Sequence, residues 1–170
     1  GLGDVYKRQN MPWQDRPEGC KEVVWRYDNN PVIGTGVLNG LRVFNSAVIP
    51  YKGEFIGVFR ADHRNGYPNL HLGRSKDAIN WNIEEETIKF QNKNGSPAEP
   101  ILYGYDPRLV KIEDDYYITW CNFFNGPTIG IAKTRDFKTF TQLENAFVPF
   151  NRNGVLFPRK IKGNFVMLNR

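Results

Sequence analysis

The sequence predicts an all-β chain, and three observations carry that prediction: composition, turn chemistry and an internal repeat. Of its 170 residues 14% are aromatic, and 16 Gly and 11 Pro punctuate them, a mix that suits short strands joined by tight turns rather than helices. The length is enough for one domain with a sizeable core. The runs "YKGEFIGVFRA", "EDDYYITWCN" and "IKGNFVMLNR" each set a polar or Gly turn ahead of an aromatic-rich apolar stretch, as hairpin strands do. Between them, "GRSKDAINWNIEE" and "AKTRDFKTFTQLE" align, pairing Ser75 with Thr134, Asp77 with Asp136 and Trp81 with Phe140, each 59 positions apart. A multi-strand repeat on the order of 40 to 60 residues is the spacing of β-propeller blades, whereas a single sandwich need not repeat in this way.

Taken in order along the chain, residues 1–40 form an N-terminal arm. Its opening "GLGDVYKRQ" (1–9) has no initiator Met and no periodic pattern, so it is expected to be a non-native remnant. Residues 41–170 are expected to be a partial propeller truncated at its C-terminus, because "NFVMLNR" stops where a strand should still be running. Trp81 and Phe140, at matched places in the repeat, are expected in the blade core. The charges of "EEETIKF" and "DFKTF" fit solvated strand faces.

Several function classes are disfavoured. The formal charge of +5 favours anionic partners, but acids and bases are interleaved, so no stripe for nucleic acid exists and a phosphate-sized anion is the better match. Cys20 and Cys121 have neither CxxC spacing nor a His cluster nearby, which signals no disulfide framework and no zinc site. Reduced thiols in a cytoplasmic protein are expected. His63 and His71 lack metal spacing and read as hydrogen-bonded bystanders. No apolar run approaches the roughly 20 residues that span a bilayer, so no membrane association is expected. "GTGVLNG" is not a phosphate loop, since neither GxGxxG nor GxxxxGK[ST] is present and no helix follows.

In a propeller the innermost strand of each blade lines a central pocket. Asn45 and Ser46 precede "AVIPY", Asp106 precedes "PRLVKI", and Arg152 with Asn153 precede "VLFPRKI", so an amide, a hydroxyl, an acid and a cation reach one place from three units. Such a set suits a sugar or a phosphate. For Asp106 two readings stand: a structural Asp-Pro turn or a proton donor. Pro107 is expected to bias Asp106 towards an extended conformation. For Arg60 and Arg64 in "FRADHRNG" the alternative to a site role is surface ion pairing.

The stretches "PWQDRPEGC", "VVWRY", "VFNSAVIPY", "FRADHRNG", "YDPRL", "GPTIGIAKTRDFKTF" and "VLFPRKI" resemble the inverting β-mannoside phosphorylases of glycoside hydrolase family 130. The branch that acts on 4-O-β-D-mannosyl-D-glucose is the most similar, and the resemblance runs from Met11 to Arg170. It implies a five-bladed propeller of which this chain is about the first half. It further implies Asp106 as proton donor, acting through a sugar hydroxyl, with Tyr105 against the acceptor sugar. Asn45, Ser46 and Arg60 would hold the mannosyl unit, and Arg152 and Arg170 would bind phosphate. Inorganic phosphate is then a co-substrate, and no other cofactor and no metal are implied. Partners would be a β-mannosyl disaccharide or oligosaccharide and phosphate, with self-association as a homo-oligomer left open.

The chemistry fits these residue types independently. Glycosidic cleavage needs an acid to protonate the departing oxygen. A hydrolytic inverting enzyme needs a second carboxylate to activate water. Phosphate is already an anionic nucleophile and needs cations to hold it, a task suited to the planar fork of Arg. The leading expectation is reversible phosphorolysis giving α-D-mannose 1-phosphate and glucose. Its rivals are a β-mannosidase of the same fold and a non-catalytic sugar-binding propeller fragment.

Overall fold

The computed structural model describes residues 14–39 and 41–170; the opening segment expected to be a remnant lies outside the described residues. Among these no helix occurs. Ten strands follow in order: β1 (Arg42–Tyr51), β2 (Glu54–Asp62), β3 (Pro68–Ser75), β4 (Asn82–Thr87), β5 (Tyr105–Ile112), β6 (Asp115–Phe123), β7 (Pro127–Thr134), β8 (Thr141–Leu143), β9 (Val155–Leu156) and β10 (Met167–Leu168). They pair with their sequence neighbours into two four-stranded antiparallel meanders, β1 to β4 and β5 to β8, and a two-stranded sheet of β9 and β10. Residues 14–39 carry turns but no strand.

Local turn chemistry explains the repeat. Ser75 Oγ accepts from the N–H groups of Asp77 and Ala78 at 3.2 and 2.9 Å, while Asp77 Oδ1 accepts from those of Ile79 and Asn80 at 2.9 and 2.8 Å. Thr134 Oγ1 and Asp136 Oδ1 do the same for the amides of Asp136, Phe137, Lys138 and Thr139. The hydroxyl and the carboxylate take over amides that no strand can satisfy at the corner. Donation from the Asn80 amide to Asp77, and from the Thr139 amide to Asp136, holds both carboxyls below the usual carboxylate range. Elsewhere Lys52 (φ 49°) with Gly53 (φ 84°), and Lys162 (φ 50°) with Gly163 (φ 78°), make the "YKGE" and "IKGN" turns, whose two successive positive φ values match the twist of a tight hairpin.

Burial follows from the period-2 alternation of strands. On β6, Ile118 and Trp120 enter a cluster with Tyr51, Ile56, Val58, Leu70 and Leu72 of the first sheet. Their neighbours Thr119 and Cys121, also buried, point the other way and meet Gly154 and Asn153 beside β9. The second sheet is therefore covered on both faces, as a propeller blade is. Trp120 pairs with Gly130 across β6 and β7, and the indole lies so close that a Cβ on Gly130 would sit 2.3 Å from its ring. Phe90 stacks on the same indole at 5.1 Å. The far face of the first sheet is sealed by Leu38 of the arm, which joins Phe59, Ala61 and Ile83, with Trp81 packed against them. Phe140 is buried in the inter-sheet cluster as expected, whereas Trp81 is only partly buried, packed against the cluster on the far face of the first sheet.

Candidate active site

A β-bulge recurs at the start of each innermost strand. In β1 the pairing passes from Val43↔Ala61 to Ser46↔Phe59, leaving Phe44 and Asn45 opposite Arg60. In β5 it passes from Tyr105↔Cys121 to Arg108↔Thr119, leaving Asp106 and Pro107 opposite Trp120. In the third unit Arg152 and Arg170 exchange backbone hydrogen bonds at 2.6 and 3.0 Å before Val155 pairs with Leu168, so Asn153 and Gly154 are the extra residues. Bulges re-aim side chains, and here they turn Asn45, Asp106 and Asn153 out of the pleat at the same end of three successive sheets.

Asp106 corrects one expectation. It is not extended: its φ is 50°, and Asn153 at the matching place has φ 55°. The first residue of such a bulge takes the left-handed region, which Asp and Asn tolerate better than most L-residues. The cross-strand requirement thus overrides the local bias from Pro107. Proline itself is accommodated because a bulge position has no ladder hydrogen bond to give.

The bulges bring the predicted residues together. Asn45 Nδ2 donates to Asp106 Oδ1 at 2.6 Å, and Arg60 Nη1 reaches the same oxygen at 3.4 Å. Arg60 is held by Asp62, which takes its Nε and Nη2 at 2.8 and 3.2 Å in a bidentate pair. This pairing with Asp62, ahead of the lesser influence of Asp106, raises the Arg60 pKa further. The guanidinium also lies over the rings of Phe44 and Tyr105, at 5.1 and 5.6 Å. Asp62 therefore fixes the fork, the two aromatics fix its plane, and one nitrogen is left directed at Asp106. Partial burial pushes the Tyr105 phenol up.

Ser46 faces a different space: with Val48, Arg108, Thr119, Val155 and Leu156 it lines a cavity of about 370 Å³ where the three innermost strands converge, and Asn45, Arg60 and Asp106 are not among its lining residues. Arg152 and Arg170 are both exposed and joined through their backbones. Arg152 is near enough to Tyr105 and Cys121 to lower the pKa of each, against burial that raises both. Arg64 is an exposed side chain 3.4 Å from the Asn39 carbonyl. Among the described residues no group of three or more His, Cys, Asp or Glu could hold a metal ion.

Sequence reading missed three features. Asp62 is two residues from Arg60, hence on the same face of β2, and that spacing was the available signal. His63 and His71 are partners: their Nε2 atoms lie 2.9 Å apart while His71 Nδ1 meets the Glu84 carbonyl at 2.9 Å. Nδ1 must donate to that carbonyl, so neutral His71 accepts at Nε2 from His63, and burial pushes the His71 pKa down. Third, Cys121 clasps Asn153: the thiol donates to Oδ1 at 3.3 Å and its sulfur accepts the Asn153 N–H at 3.2 Å. Thr119 Oγ1 adds a bond to the Gly154 carbonyl at 2.7 Å. Cys121→Val, which removes both sulfur contacts, is expected to cost about 1 to 3 kcal/mol, and Cys121→Ser to recover part of it. Chemical denaturation of the pair checks this, and equal stability of both variants would remove the clasp.

A family model described as β-1,4-mannooligosaccharide phosphorylase, glycoside hydrolase family 130, matches residues 4–170. The chain is 54% identical over 168 residues to a β-1,4-mannooligosaccharide phosphorylase of Ruminococcus albus, covering 95% of this chain and 50% of that protein. It thus spans about half the length of that curated relative. Among solved structures, a β-1,2-mannobiose phosphorylase of Listeria innocua bound to β-1,2-mannobiose superposes with a TM-score of 0.66 at 19% identity, over 86% of this chain and 57% of that one. Another is described with the statement that the family of mannoside phosphorylases contains glycoside hydrolases targeting β-1,2-mannosidic linkages in Candida mannan. It gives a TM-score of 0.60 at 22% identity over 83% of this chain and 46% of that chain. These likenesses place the fold as that of a five-bladed β-propeller, of which this chain matches about half.

Proposed function

Since the chain belongs to glycoside hydrolase family 130, we propose that it carries the proton-donor side of a phosphorylase active site acting on β-1,4-mannosides. The observation that carries this reading is the bracing of one carboxylate, Asp106, from another blade by Asn45 and Arg60. The mannosyl unit lies against Asn45, Arg60 and Ser46, and Tyr105 offers its ring to the acceptor. Asp106 delivers a proton towards the departing oxygen. Phosphate attacks the opposite face of the sugar, held by the forks of Arg152 and Arg170, and α-mannose 1-phosphate leaves with inverted configuration. The nearby acid Asp62 is engaged at both oxygens by Arg60, which suits it to orienting that guanidinium towards Asp106. No cofactor beyond phosphate is needed for this chemistry.

The acceptor admits a second reading. The resemblance in sequence points to glucose, whereas the Ruminococcus albus relative is named for mannooligosaccharides. Phosphorolysis of 4-O-β-mannosyl-glucose and of β-1,4-mannobiose by the full-length protein, compared by kcat/KM, separates the two.

The phosphate assignment is tested through Arg152 and Arg170. Loss of a charge-assisted contact costs on the order of 1.5 to 3 kcal/mol. Arg152→Ala or Arg170→Ala in the full-length protein is therefore expected to raise the KM for phosphate roughly tenfold to a hundredfold, with the disaccharide KM moved far less. Unchanged phosphate saturation in both variants would reject these arginines as the phosphate clamp.

A further inference from the structure

The segment that carries Arg152 is fastened to the second sheet at three points. Asn151 donates its N–H to the Pro127 carbonyl, at the start of β7, at 3.0 Å. Asn153 is held by Cys121 through both the thiol hydrogen and the sulfur, at 3.3 and 3.2 Å. The Gly154 carbonyl accepts from Thr119 Oγ1 at 2.7 Å. Thr119 and Cys121 are two residues apart on β6, so their side chains leave the same face, and both are buried. Gly154 comes this near because it has no side chain: a Cβ there would meet Met167 Sδ at 2.6 Å and Ile129 Cδ1 at 2.9 Å. Arg152 in turn carries Arg170 with it through their two backbone hydrogen bonds. On its other side the same length of β6 borders the acid: Cys121 pairs with Tyr105 and Thr119 with Arg108, the two ends of the bulge that turns out Asp106.

From this arrangement we infer that Thr119 and Cys121 are positioning residues that set the separation between the proton donor and the arginines of the phosphate site. The inference rests on the phosphorylase reading above. An in-line displacement needs its nucleophile and its leaving oxygen on opposite faces of one carbon, and a misplacement of about 1 Å at such a centre costs on the order of 10²-fold. A guanidinium on a long, rotamer-rich stem does not supply that precision by itself, so the backbone from which it springs must. Asn153 and Gly154 are the extra residues of the bulge next to Arg152, and each is tied to β6 by one buried side chain. A thiol suits the position because its S–H donates while its sulfur accepts, and because it is small and at ease in an apolar interior. Thr119 and Cys121 act through residues 152–154 and not on the reacting atoms.

The test uses the full-length protein with a β-1,4-mannosyl disaccharide and reads the KM for phosphate against the KM for the disaccharide. Thr119→Val keeps the shape and removes the hydroxyl, and Cys121→Val removes both sulfur contacts. Each is expected to raise the KM for phosphate about threefold to tenfold while the disaccharide KM stays within about twofold. Cys121→Ser, which can still donate and accept, is expected to recover part of the loss. A merely structural role would lower the active fraction, and with it the apparent kcat, with both KM values unmoved; that result overturns the proposal, as does an equal rise in both. Thr119→Val, the milder change, decides the matter if Cys121→Val does not fold. If Arg152→Ala raises the phosphate KM and neither valine variant does, the phosphorylase reading stands and the positioning role falls. Calorimetric titration of inorganic phosphate reads the segment without turnover. If the unaltered protein binds phosphate but turns over independently of it, and Cys121→Val weakens that binding, the positioning role stands and the phosphorylase reading falls. If the unaltered protein binds no phosphate, both fall.

Discussion

Asp106→Asn in the full-length protein should lower phosphorolysis by roughly 10²- to 10⁴-fold, the range typical of general acid catalysis, while leaving folding and disaccharide binding nearly intact. Asparagine keeps the shape, accepts the left-handed φ of 50° and still offers an oxygen to Asn45 Nδ2 and Arg60 Nη1, which now lie 2.6 and 3.4 Å from Oδ1. What it cannot do is deliver the proton. An activated mannosyl donor, whose leaving group needs none, should recover most of the lost rate. Steady-state rates on both substrates, with a denaturation curve as control, check this. Near-normal phosphorolysis, or inactivity that merely tracks unfolding, would return Asp106 to the role of a turn residue. The alternative substitution Asp106→Ala is less informative, because it also strips Asn45 and Arg60 of a partner and strains a φ that alanine adopts poorly.

Trp120→Ala should destabilise by about 3 to 5 kcal/mol, the largest folding effect expected of any single change in the described residues. Trp120 is 1% exposed and sits in the cluster that joins the first two sheets, stacked on Phe90 and lying over Gly130. Its removal opens a cavity at the blade junction that neither rigid sheet can collapse to fill. Gly130→Ala attacks the same contact from the other side, since the new Cβ would fall 2.3 Å from the indole. Combining the two should therefore cost less than their sum, an interaction visible in a double-mutant cycle. Val148→Ala, at a side chain 76% exposed, should stay within about 0.5 kcal/mol. Denaturant midpoints decide the matter, and additive effects of Trp120→Ala and Gly130→Ala would contradict the packing described.

What could be read in the residues alone was what is local. The Ser75–Asp77 and Thr134–Asp136 corners announce themselves because a hydroxyl and a carboxylate cap amides two or three residues on, whatever the rest of the chain does. The hairpins at Lys52–Gly53 and Lys162–Gly163 are legible for the same reason. Placing Asn45, Asp106 and Asn153 near the starts of the three innermost strands needed only the repeat, and the repeat is visible. The left-handed backbone of Asp106 was not legible, because it comes from a mismatch of two residues against Trp120 across the sheet, while Pro107 argues locally for the opposite. The clasp of Cys121 and Asn153 joins residues 32 apart in sequence through a thiol, and no spacing rule marks it. The pairing of His63 with His71 depends on the β2–β3 register in the same way. The fork of Arg60 lay in between: its tie to Asp62 follows from strand periodicity, its reach to Asp106 only from the stacking of blades.

The central claim is that phosphate, not water, attacks the mannosyl unit whose leaving group Asp106 protonates. Its most direct test is to incubate the full-length protein with a β-1,4-mannosyl disaccharide over a series of phosphate concentrations and identify the product by phosphorus and proton NMR. The account predicts α-mannose 1-phosphate formed in proportion to the acceptor released, with a rate that saturates in phosphate and vanishes without it. Free mannose released at a rate independent of phosphate would contradict it.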